Sequence, residues 1–175
     1  MTKTKEISLC AVLTALALGL SYMERFIPLQ LVIPLPGVKL GLANIVTLVA
    51  LAMLKPRHAL LILIPRCILG ALFGGGVTGL MFSLCGGILA LGIMTPAWKL
   101  PFLSIYGVSI LGAAAHSIGQ ILAAMVLLKS VYIAAYLPYL LVVGIFTGLL
   151  TGSVTAGILR ILPNAVISPT KEMSR

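Results

Sequence analysis

The sequence predicts an all-α fold: a polytopic membrane protein with six transmembrane helices and both termini in the cytoplasm. Three observations lead there. Hydrophobic residues make up 61% of the 175, charged residues only 9%, and the mean hydropathy is +1.21, whereas a soluble domain is about 25% charged. The apolar residues form long continuous runs, not the alternating ten-residue segments of barrel strands. Acidic residues number three, Glu6, Glu24 and Glu172, and aspartate is absent. So few polar side chains do not cover a globule in water. A soluble enzyme, a nucleic-acid-binding domain and any chemistry built on an Asp-rich metal cradle are therefore excluded. The net charge of +9 comes from basic residues scattered between apolar runs, without a patch that would hold nucleic acid.

A membrane helix needs about 20 apolar residues. The runs fall at roughly 6–23, 39–54, 58–73, 77–95, 104–128 and 134–162. They leave little for loops, so residues 1–175 read as a single integral membrane domain. The first run follows Lys3 and Lys5, as a signal peptide would. It is long, however, and no small-residue cleavage site precedes Glu24–Arg25, so it is read as a retained helix. The second run begins after Pro34 and Pro36, which force an extended entry, and Gly37, which permits an unusual turn. It places Lys39 in the first turn of a helix. The third and fourth are divided by Gly74–Gly75–Gly76. The sixth either begins as an interfacial segment near Tyr136, Pro138 and Tyr139 or tilts.

Lys and Arg set the orientation. With both ends inside, the cytoplasmic set is Lys3, Lys5, Lys55, Arg57, Lys99, Arg160, Lys171 and Arg175; the outer set is Arg25, Lys39 and Lys129. Residues 25–38 then form the main outer loop. Cys10, Cys67 and Cys85 are far apart within apolar runs and read as small buried residues. No zinc or iron–sulfur site is expected, and no cofactor.

Polar residues inside lipid are costly and face a bundle interior or a wet cavity. Four stand out: Asn44, Arg66, His116 and Gln120. Arg66 follows Pro65, which frees a backbone carbonyl one turn earlier. It is either capped by carbonyls or holds an anion. His116 and Gln120 lie four apart on one helix face, either as a packing hydrogen bond or as the wall of a ligand cavity. Glu24 and Arg25 either anchor the first helix at the interface or, with Lys39, close a site. A cation at a helix N-terminus is unfavourable, whereas an anion bound there gains from both helix and ammonium. Asn44 lies about 140° around a helix from Lys39, on another face. In the first helix, Ala11, Ala15 and Gly19 repeat every four residues and form a smooth groove for another helix.

The run PLPGVKLGLANIVTL at residues 34–48, with ISLCAVLTALALGLSYMERFIP before it, resembles the Gx transporter family. Members are often labelled heptaprenyl diphosphate synthase component I. That family resembles the S components of energy-coupling-factor (ECF) transporters, six-helix membrane subunits that bind substrate. The resemblance implies an S-component-like fold in the plasma membrane of a bacterium. It further implies a small vitamin-like ligand captured beneath the loop at residues 25–38. Ala11 and Ala15 would dock on a transmembrane coupling subunit driven by two ATPases. The chain has no Gly-rich ATP loop, so ATP hydrolysis would belong to those partners. The ligand, anionic or amphipathic, is expected at Glu24, Arg25, Lys39, Asn44, Arg66, His116 and Gln120, and no enzyme activity is expected. Two alternatives stand beside this. One is a membrane partner in quinone- or flavin-linked extracellular electron transfer, with a flavoprotein partner. The other is a non-catalytic accessory subunit of heptaprenyl diphosphate synthase.

Overall fold

The computed structural model describes residues 3–26 and 39–161, and these contain helices and turns without a strand. Helix α1 spans Lys3–Met23 and passes into a 3-10 turn at Glu24–Phe26. Helices α2, α3 and α4 cover Asn44–Met53, Pro56–Gly70 and Gly76–Lys99. Helix α5 covers Ile105–Leu128, and α6 covers Leu137–Ile161 after a 3-10 segment at Val131–Tyr136. Four continuous helical stretches are long and apolar enough to cross a membrane: 4–23, 56–99, 105–128 and 131–161.

The 56–99 stretch is folded on itself. Phe73 and Gly74 leave helical geometry, with Gly74 at φ +97, a conformation that L side chains rarely adopt. The chain reverses there, and Gly87 of α4 comes back against Leu63 and Arg66 of α3. The predicted glycine turn is thus present, tightened into a five-residue π-turn at Ala71–Gly75. Pro56 begins α3, where a missing N–H costs nothing. Ser104 caps α5 by accepting a hydrogen bond from the Gly107 N–H at 3.1 Å. A 3-10 segment precedes the last helix, with Tyr132 at its surface, whereas Pro138 and Tyr139 of the expected lead-in lie inside α6.

The second predicted helix is the main correction. It does not run over 39–54. Only ten residues are helical, and Lys39 lies ahead of them, not in a first helical turn. Gly41, at φ +85, breaks the helical path, and the Gly41, Leu42 and Ala43 carbonyls accept from the Asn44, Ile45 and Thr47 N–H groups as the chain turns into the helix. A ten-residue helix rises about 15 Å, half of a hydrocarbon core of about 30 Å. Residues 44–52 of α2 are all buried, because all five other helices pack around it.

Helices α4, α5 and α6 pack backbone to backbone through small residues. A Cβ on Gly112 would lie 2.4 Å from Met94 Sδ, on Gly119 2.5 Å from the Cys85 carbonyl, and on Gly148 2.7 Å from Ile110 Cα. Polarity is inverted relative to a water-soluble core. Ser109, His116, Gln120, Thr151 and Thr155 are buried, while Leu16, Leu61, Leu72, Phe146 and Val126 are exposed. Such a surface suits lipid and not water. Among the cysteines, Cys67 is buried but Cys85 is exposed, contrary to the expectation of three buried thiols. The side of α4 that bears Cys85 is left uncovered.

Candidate functional site

The site is built around the N-terminal end of α2. A helix leaves its first N–H groups without intrahelical partners. Just ahead of that end, Glu24, in the turn directly after α1, accepts a hydrogen bond from the N–H of Leu42, the residue before the N-cap Ala43. The Glu24 side chain is 4% exposed. Burial pushes its carboxyl up from the ordinary range, while the Leu42 N–H and the nearby Lys39 and Arg66 cations pull it down. Lys39 and Arg66 both lie near enough to act on the Glu24 carboxyl.

Lys39 reaches across to α4, where its Nζ donates to Ser83 Oγ at 3.0 Å. Arg66 projects from α3 and is 4% exposed. Its Nε and Nη2 have no acceptor among the described residues. Asn44, the first residue of α2, is 6% exposed, and neither amide atom has a partner among those residues.

His116 and Gln120 share one face of α5, as their spacing predicts. Gln120 Nε2 lies 3.1 Å from His116 Nε2. Which of the two nitrogens donates depends on the ring tautomer, and His116 Nδ1, on the side that faces Gly86, has no partner among the described residues. The cluster is held together by glycines. A Cβ on Gly41 would lie 3.0 Å from Asn44 Nδ2 and 3.2 Å from His116 Cδ2. One on Gly86 would lie 2.8 Å from His116 Nδ1, and one on Gly87 would lie 3.3 Å from Arg66 Nη2. The adjacent pair Gly86–Gly87, about 100° apart around the helix, thus lets α3 and α5 bring their polar side chains against neighbouring faces of α4.

Five elements therefore bring Glu24, Lys39, Asn44, Arg66, His116 and Gln120 to one region. Ser83, Gly41, Gly86 and Gly87 belong with them and were not singled out from sequence. Ser83 and Gly87, four apart on α4, share a face with the polar cluster. That glycine pair inside an apolar helix was the available signal. Of the expected lid at residues 25–38, residues 25 and 26 belong to the 3-10 turn after α1, and the Arg25 side chain and residues 27–38 lie outside the described residues.

A cavity of about 580 Å³ lies beside the cluster, lined by Ala15, Leu18, Gly19, Ser21, Tyr22, Lys39, Gly70 and Phe73. Lys39 stands in its wall and borders the cluster. Ala11, Ala15 and Gly19 lie on the exposed side of α1, and a Cβ on Gly19 would meet nothing within 4 Å. Among the described residues no group of three or more His, Cys, Asp and Glu side chains is placed to hold a metal ion.

The family model described as heptaprenyl diphosphate synthase component I matches residues 13–158. No curated protein and no solved structure gives a match. The matched stretch takes in the second half of α1, all of α2 to α5 and nearly all of α6, including every residue of the cluster. With its apolar helices and inverted polarity, this is a multi-pass membrane protein, and the chain belongs to the heptaprenyl diphosphate synthase component I family.

Proposed function

We propose that the chain is a non-catalytic, substrate-binding membrane subunit of the S-component type, working with ECF-type coupling and ATPase partners. The observation that carries this reading is the buried, cation-rich cluster at the end of a half-length helix, beside a cavity of about 580 Å³. Transporters commonly place anion sites at the N-terminal ends of discontinuous helices inside the membrane. Helix α2 and its non-helical lead-in would make one of six crossings, with both chain ends in the cytoplasm of a bacterial cell. The ligand would enter from outside. The uncovered small residues Ala11, Ala15 and Gly19 would meet the coupling subunit.

The test is native mass spectrometry with small-molecule extraction on the gently solubilised protein, co-expressed with its genomic neighbours. A bound small anion together with co-purifying coupling and ATPase subunits supports the reading. A quinone or flavin without ATPase partners moves the protein to electron transfer.

The family description favours a second reading, an accessory subunit of heptaprenyl diphosphate synthase. It requires that synthase activity of the catalytic partner depend on this chain. Full activity of that partner alone removes it.

A further inference from the structure

Two atoms of Arg66, Nε and Nη2, are buried without an acceptor among the described residues. They lie on one edge of the guanidinium plane, and their N–H bonds point the same way. That edge is the fork that receives both oxygens of a carboxylate or phosphate side-on. Nearby, both amide atoms of Asn44, Oε1 of Gln120, Nδ1 of His116 and Oε2 of Glu24 are buried and equally unmatched. Buried polar groups nearly always find partners. Several orphans in one cluster mark a place shaped for groups that the described residues do not supply.

Charge decides the sign of the missing partner. With Glu24 ionised, the described cluster holds the two cations Lys39 and Arg66 against one anion. With Glu24 protonated it holds two against none. Positive charge is in excess either way, in surroundings where uncompensated charge is expensive.

The cavity supplies the rest of the shape. Lys39 stands in its wall, and Gly70, also in the wall, is one helical turn from Arg66. The head of a ligand would pass Lys39 to reach the fork. Elsewhere the wall is largely apolar, and two of its members, Tyr22 and Phe73, are 52% and 62% exposed. The cavity therefore meets the lipid-facing surface between α1 and the α3–α4 turn.

We propose that this site takes an amphipathic oxyanion, its carboxylate or phosphate head held side-on by Arg66 beside Lys39 and its apolar body in the α1-side cavity, entered laterally from the bilayer. The inference rests on the reading of the chain as a ligand-binding subunit and names the class of ligand. The full chain in phosphatidylcholine nanodiscs is titrated with dodecyl phosphate, dodecanol or inorganic phosphate, and bound ligand is counted by native mass spectrometry.

Dodecyl phosphate binds, and dodecanol and inorganic phosphate each bind at least about tenfold more weakly, the loss of one charge-assisted contact or of the apolar body. Arg66→Lys keeps the charge, removes the fork and weakens dodecyl phosphate by about tenfold. Gly19→Leu grows into open space in the wall and weakens the same ligand at an unchanged unfolding temperature. Adding phosphatidate to the nanodiscs identifies the source: displacement of dodecyl phosphate assigns a bilayer lipid, and no displacement assigns a single-chain amphiphile. Equal binding of dodecanol and dodecyl phosphate overturns the proposal, as does unchanged affinity in both variants. The transport reading fails separately, when no coupling or ATPase subunit co-purifies with a chain that still binds dodecyl phosphate.

Discussion

Arg66 is the residue at which stability and function pull in opposite directions. Its guanidinium is enclosed and two of its nitrogens have no acceptor among the described residues. Burying an ion carries a desolvation penalty of several kcal/mol, which an apolar side chain of similar volume does not incur. We therefore expect Arg66→Met to unfold at the same or a higher temperature than the parent chain in detergent, while losing binding of an anionic amphiphile. Thermal unfolding followed by helical circular dichroism, beside the binding titration, checks both halves. A large fall in unfolding temperature would show that Arg66 serves the fold instead, held by carbonyls as the neighbouring Pro65 first suggested. His116 contrasts with it. Its Nε2 is matched by Gln120 at 3.1 Å and the ring packs on Gly86 and Gly41, although Nδ1 has no partner among the described residues, so the ring has a structural role whether or not a ligand is also present.

At the scale of elements, two devices position the cluster. One is the shortening of α2, whose N-terminal end is met by the carboxylate of Glu24 from the end of α1. A carboxyl oxygen placed there ties the lead-in at Leu42 to the end of α1 and fixes where the helix starts. The other is the glycine pair of α4, which lets α3 and α5 approach the same helix from two sides. Gly86→Ala would set a methyl group 2.8 Å from the His116 ring and 3.0 Å from the His116 carbonyl oxygen. Overpacking of this kind costs about 1–3 kcal/mol, which outweighs the gain in helix propensity of roughly 1 kcal/mol from replacing glycine by alanine. Gly92, on the same helix, has nothing within 4 Å of an added Cβ. Gly92→Ala should hold or raise the unfolding temperature while Gly86→Ala lowers it. Equal behaviour of the two would mean that α4 and α5 are not packed as described.

For the whole molecule, the proposed orientation yields the remaining expectation. In a variant with Cys10, Cys67 and Cys85 replaced by alanine, single cysteines are introduced as Lys129→Cys or Lys99→Cys. A membrane-impermeant maleimide added to intact cells should label the first and not the second. Labelling of Lys99→Cys alone would invert the topology and place the cluster on the cytoplasmic side. These two connections are suitable because they flank α5, a single continuous helix of 24 residues between Ile105 and Leu128. One crossing therefore separates them.

Much of this architecture was legible in the chain. Helices α1, α3, α4, α5 and α6 follow from runs of apolar residues, since lipid tolerates only backbones that satisfy their own hydrogen bonds. The residues that cluster were also legible one by one, because a polar side chain inside an apolar run needs a reason to be there. Hydropathy could not show that α2 is ten residues long, since Lys39–Ala43 is as apolar as a helix and leaves it only through the positive φ of Gly41. Nor could spacing show that Lys39, on the wrong face for Asn44 by helical arithmetic, would join it once that stretch was not helical. Convergence of Glu24, Arg66 and His116 depends on contacts between residues 42 and 50 positions apart in the chain, and no local pattern encodes those. Composition sets which groups must be buried together, whereas the close approach of backbones at Gly86, Gly87 and Gly119 sets which of them meet.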